Sequence, residues 1–156
     1  MRTTYLVLSR LIAILVVVQA MMIVWAISGL FNWINEDGNT LDKSVMDGWA
    51  DDPPTFDGAI GHFLHALVLG QGAIPLAGLL LLIVAFFAKV PRGVALAAAI
   101  VVLIVIQILL GINSQNTPLF GLLHGLNAFL LFGACMAAAM AAKNAGATQE
   151  APAAAV

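Results

Sequence analysis

Between Arg92 and Lys143 the chain carries no Asp, Glu, Lys or Arg. The same holds from Gly58 to Ala88 and from Leu11 to Asn35. Uncharged runs of this length leave few ways to fold. A hydrocarbon layer about 30 Å thick accepts helices of about 20 apolar residues. No water inside that layer can satisfy backbone N–H and C=O groups, so each run has to be helical. Charged residues are 9% of the 156-residue chain, against about 25% in soluble domains. The class that follows is an all-α integral membrane protein of multi-pass, bacterial inner-membrane type, with membrane lipid as its first partner.

Four spans are expected, at about 6–30, 58–87, 93–112 and 118–142. The first is too long for the apolar region of a signal peptide, about 7–15 residues, and no small-x-small cleavage site is evident, so it is read as a retained helix. Asp57 can cap the second span, while Pro91 and Gly93 separate the second from the third. Thr117-Pro118 suits a helix start, because the hydroxyl caps and a proline at the first position has no N–H to leave unsatisfied. Short connections make consecutive helices antiparallel neighbours. The expected architecture is therefore an up-down bundle of four transmembrane helices over 1–143. The small, polar stretch 144-NAGATQEAPAAAV-156 is expected to be a disordered cytoplasmic tail.

Basic residues set the orientation. Arg2, Arg10, Lys89, Arg92 and Lys143 fall on one side and Lys43 alone on the other, which places both termini in the cytoplasm. The outer loop 31–57 then holds Glu36, Asp37, Asp42, Asp47, Asp51, Asp52 and Asp57. It reads as a solvated loop or as a binder of a cation or partner. Phe31, Trp25 and Trp33 suit an outer aromatic belt. Nothing in the chain forms a basic patch for nucleic acid. With a single cysteine, Cys135 in an apolar run, there is no disulfide framework.

The chemistry-bearing residues are histidines. His62 and His65 lie in 58-GAIGHFLHALVLGQGAIP-75, and His124 lies in 118-PLFGLLHGLNAFLLFG-133. Counting from the outer ends of their helices, they sit about 7.5, 12 and 9 Å deep, a single layer. Polar residues at such depth are costly and tend to be functional. Neutral imidazole ligates transition metals and haem iron. Opposed histidines on two helices can clamp a haem, and Gly58, Gly61, Gly72 and Ala73 on one helix, with Gly121, Gly125 and Ala128 on the other, offer room for it. Pro75 is expected to kink the second helix and widen the bundle. The alternative is that small residues serve close helix packing and the histidines hydrogen-bond across helices. A zinc site is disfavoured, because no thiol, and no carboxylate other than Asp57, shares the depth of the histidines. Gln107 and Asn127, like Gln19 and Gln71, read either as interhelical glue or as contacts to a cofactor's polar edge.

The run 107-QILLGINSQNTPLFGLLHGLNAFLLFG-133 resembles the third-to-fourth helix region of a haem A synthase half-domain. The run 61-GHFLHALVLGQGAIPLAGLLLLI-83 is similar to that family's second helix. The resemblance covers the last three helices. It implies a four-helix bundle holding one haem near the outer face, with His124 as one axial ligand and His62 or His65 as the other. Phe63 and Ala66 stand where the family carries arginine after the ligand, and a glutamate one turn earlier is absent. The chain is also half the family's length. These departures turn the expectation from haem O conversion toward a small b-type haem (haem b) protein for electron transfer or haem handling. Quinone, respiratory-complex subunits or a second copy of the chain are its expected partners. The rival expectation is a cofactor-free accessory or scaffold subunit of a respiratory complex. A transporter is disfavoured, because no acidic residue lies mid-membrane and no pair of broken helices repeats.

Overall fold

The computed structural model describes residues 1–150, and these are helical with no strand among them. Helix α1 spans Arg2–Asn35, and Gly38, at φ +70°, takes the left-handed conformation just beyond its end. A short helix α2, Lys43–Gly48, follows in the loop. It starts where Asp42 can cap it: one carboxylate oxygen accepts from the Val45 N–H at 3.0 Å and from the Ser44 hydroxyl at 2.9 Å. These bonds, that of Val45 first, hold the Asp42 carboxyl below its ordinary value of 3.8.

The second long rod, Ile60–Ala88, is continuous but not uniform. It runs as α3 (Ile60–Phe63), a π-helical stretch Leu64–Ala73, and α4 (Ile74–Ala88). The widened stretch ends where Pro75 begins α4. Proline lacks an N–H, and its ring crowds the carbonyl four residues back, so the preceding turns open to i→i+5 spacing where the sequence suggested a kink. Helix α5 spans Gly93–Asn113 and α6 spans Pro118–Glu150. The turn between α4 and α5 has Lys89 and Arg92 in the left-handed region, at φ 53° and 58°.

A long helix stands at each of the four expected spans; the first, third and fourth run past their expected ends, and the second runs from 60 to 88 where 58–87 was expected. The segment 144–150, expected to be disordered, instead continues α6, since Ala and Gln favour helix and no proline intervenes before Pro152. The rest of the expected tail, 151–156, lies outside the described residues. The expected loop 31–57 begins later than thought and contains α2.

Where the sequence suggested one domain, contacts divide the chain into two compact units. One comprises Met1–Val16 and the chain from Gln71 onward. In it α5 packs against both α4 and α6. The core is small and aliphatic at helical spacing: Ala77, Leu81 and Ala85 on α4, Ala97, Ile100 and Ile104 on α5, and Leu131, Cys135 and Ala138 on α6. Small residues let the helices approach closely; a methyl group at Gly78 would lie 2.6 Å from Ile104. The start of α1 is fastened at one end. The Tyr5 hydroxyl donates to the Gly93 carbonyl at 2.9 Å, Ser9 donates to the Tyr5 carbonyl at 2.8 Å, and Arg2 donates to the Ala145 carbonyl at 3.1 Å.

The other unit is Val17–Gly70. Here α1 and the start of the second rod touch backbone to backbone. Gly58 sits at φ +85°, and a side chain there would meet the Trp25 carbonyl at 2.8 Å; one at Gly61 would strike the Met22 carbonyl. These two glycines therefore serve helix contact and do not hold open the space for a macrocycle that the sequence suggested.

No more than 33% of the most apolar stretch of any long helix is buried. Phe129, Leu122 and Phe86 are 78%, 70% and 67% exposed. Apolar surface on this scale is stable only against an apolar surrounding, so four helices long and apolar enough to cross a membrane make this a multi-pass membrane protein in form.

Candidate functional site: two anchored histidines

His124 lies on α6, and its ring rests on α5 beside Gly111, where a methyl group would come within 3.0 Å of it. Glycine at 111 is what admits the ring. Around it runs a closed hydrogen-bond chain. Asn127, one turn along α6, donates to the Leu103 carbonyl at 2.9 Å and to the Gln107 side-chain oxygen at 2.6 Å. The Gln107 amide nitrogen is 3.1 Å from His124 Nε2, and His124 Nδ1 is 3.0 Å from the Gln107 backbone carbonyl.

Two backbone carbonyls fix every proton in this chain. Leu103 O can only accept, so the Asn127 atom facing it is the NH2. That NH2 also points at Gln107, so the Gln107 atom there is its oxygen and its NH2 points at the ring. The amide can only donate, so His124 Nε2 accepts. The Gln107 carbonyl can only accept, so Nδ1 carries the proton. Gln107 and Asn127 are both buried, and among the described residues no buried side-chain nitrogen or oxygen lacks a partner. Of their two expected roles, both residues fill that of interhelical hydrogen-bonding.

His65 lies at the start of the π-helical stretch, and its partner is Gln19, a buried polar residue in the apolar run of α1. His65 Nδ1 donates to the Gln19 backbone carbonyl at 2.8 Å, and the Gln19 amide donates to the His65 backbone carbonyl at 3.1 Å. Gly70 makes this fit. A methyl group there would lie 2.7 Å from both the His65 carbonyl and the Gln19 amide nitrogen. The sequence had singled out Gln19 only as one of several polar residues. Its tie to a histidine 46 positions away depends on helix register, which no local pattern reveals. His62 differs: it is exposed on α3 and has no side-chain hydrogen bond among the described residues.

The two anchored rings share one device. In each, Nδ1–H goes to a backbone carbonyl, so Nε2 is the nitrogen with the lone pair, as in a metal-ligating histidine whose other nitrogen is oriented by a hydrogen bond. The donor set therefore fits an axial role toward haem iron at His65 and at His124. At His124 that role requires Gln107 to release Nε2. Gly125, the next residue, is exposed, and a methyl group there would meet nothing within 4 Å. No group of three or more His, Cys, Asp or Glu side chains that could hold a metal ion occurs among the described residues. Cys135 is buried in the α6 core, outside this network.

Comparison with family models, with characterised proteins and with solved structures gives no match for this chain.

Proposed function

We propose that this is a membrane b-type haem-binding protein for electron transfer or haem handling, with His65 and His124 as its candidate imidazole ligands. The observation that carries the reading is the repeated anchor: two intramembrane histidines, each with Nδ1–H fixed on a backbone carbonyl beneath a glutamine, at 2.8 and 3.0 Å. The same anchor favours His65 over His62 as the proposed ligand. Haem held by two histidines supplies one-electron chemistry and leaves iron no open position, so an enzymatic role is not implied. Within this reading the helices form an up-down bundle with cytoplasmic termini in a bacterial inner membrane. Supporting that orientation, the hydrogen bonds of Arg2 and Tyr5 tie the start of α1 to the end of α6 and to the turn carrying Lys89 and Arg92. Quinone or respiratory-complex subunits are the partners proposed, with a homodimer as the way to double the four helices.

An absorption spectrum of protein purified after expression with ample haem tests the reading. A Soret band is expected, lost in His124→Ala and in His65→Ala and kept in His62→Ala. No band in the wild type, or a band indifferent to both substitutions, would refute it.

A second reading has one specific observation behind it. Gln107 already occupies His124 Nε2, as in a cofactor-free accessory subunit whose histidines join helices. That reading predicts no Soret band and co-purification with other membrane proteins in mild detergent.

A further inference from the structure

We propose that the loop joining α1 to α3 forms a binding site for a small organic cation of the quaternary-ammonium type, independently of any haem. Three aromatic rings meet there. Trp33 comes from the last turns of α1, Trp49 follows α2, and Phe56 precedes α3. Their centroids are 6.3, 6.2 and 6.0 Å apart, with interplanar angles of 64°, 39° and 56°. No pair is stacked flat, so the rings enclose a corner. They border a cavity of about 310 Å³, together with Asp52, Ser44 and Pro53. This is the lower end of the range for small-molecule sites, roughly 300–1,000 Å³.

The trio is not a sealed miniature core. All three rings are only half-buried, and α2 has no buried residue. Partly exposed aromatic faces lining a cavity attract cations through the negative face of the ring. The surrounding charge points the same way. From Phe31 to Asp57 there are seven carboxylates and one amine, Lys43, which pairs with Asp47. One of these acidic residues, Asp52, lines the cavity itself. The chain beside it is stiff, because Pro53-Pro54 fixes two backbone φ angles, which lowers the ordering cost of binding.

Ligand chemistry follows by elimination. An anion is repelled by this loop. A bare metal ion wants several converging oxygens, and no such group of three occurs among the described residues. A cation whose charge is spread under methyl groups satisfies rings and carboxylate together. Such a group comes either from a free solute or from a choline lipid headgroup.

The experiment uses the full chain in nanodiscs of phosphatidylglycerol, titrated with tetramethylammonium and followed by saturation-transfer NMR. The neutral isostere of choline, 3,3-dimethylbutan-1-ol, is the control. Saturable binding is expected, about tenfold tighter for the cation than for the alcohol. Asp52→Asn and Trp49→Ala should each weaken it about fivefold, and Trp49→Phe less, since a ring remains. Repeating the titration in phosphatidylcholine nanodiscs separates the sources. Lost binding there means the headgroup already fills the site, and undiminished binding means a free solute; both uphold the proposal. Equal affinity for the alcohol, no saturation by tetramethylammonium in phosphatidylglycerol, or an Asp52→Asn variant that folds and binds unchanged would each overturn it. The Asp52 variant keeps the test decisive if Trp49→Ala does not fold.

Discussion

The surroundings of His124 and of His65 begin alike and end differently. In both, a glutamine on another helix offers its backbone carbonyl to Nδ1. At His124 the glutamine side chain turns to the ring, and Asn127 locks it there. At His65 the side chain turns to the backbone carbonyl of the histidine itself, inside the π-helical stretch. One histidine is thus held by a side-chain network between regular helices. The other is coupled to an irregular backbone. The lesson is that the same imidazole orientation can be secured by two kinds of support, and the supports should fail in different ways.

The sharpest way to break the comparison is through glycine. Gly61 is filled by the Met22 carbonyl, whereas Gly125 faces open space. Gly61→Ala should cost about 3 kcal/mol, the upper end for overpacking, because a backbone atom and not a flexible side chain must move. Gly125→Ala should stay within about 0.5 kcal/mol. Reversible unfolding in bicelles measures both, and equal costs would mean that the glycines in the two regions play the same part. Next in size are the amides. Asn127→Ala strands the Gln107 oxygen and should cost about 1–2 kcal/mol, while Gln19→Ala should cost about 0.6 kcal/mol, the average for an intramembrane hydrogen bond. A double-mutant cycle of Gln107 and Asn127 should show coupling of about 0.5 kcal/mol or more. Simple additivity would dissolve the network. The smallest effect belongs to the loop. Asp42 has its pKa lowered in the folded state, so its capping contribution is complete above about 3.8 and fades as pH falls through the lowered value. Acidification from pH 5 to 2 should weaken α2 in the wild type and change an Asp42→Asn variant much less, read by tryptophan fluorescence at Trp49.

Much of the fold was legible because membrane spans are written in bulk. The charge-free runs and the Pro91, Gly93 and Thr117-Pro118 punctuation located all four long helices. The three histidines were equally visible, since imidazole is conspicuous among Leu, Val and Ala. What stayed hidden depends on register between distant segments. Nothing local in QAMMIVWA says that Gln19 faces His65, or that Gly61 meets Met22 and leaves no room for a ligand. Pro75 announced an irregularity, but whether the chain kinks or widens is decided by what the freed carbonyls meet. In the loop, Asp42 ahead of Lys-Ser-Val was a readable cap for α2; the density of acids around it hid the signal.

The anchored rings also settle what kind of traffic they suit. A histidine passes protons by taking one on one nitrogen and releasing another from its opposite side. At His124 and His65 the Nδ1 proton is already committed to a carbonyl that cannot supply a replacement. Each transfer would need the ring to turn away from its helix neighbour and return. These positions are therefore poor stepping stones for a proton wire, and a pH gradient across the membrane would find in them a barrier.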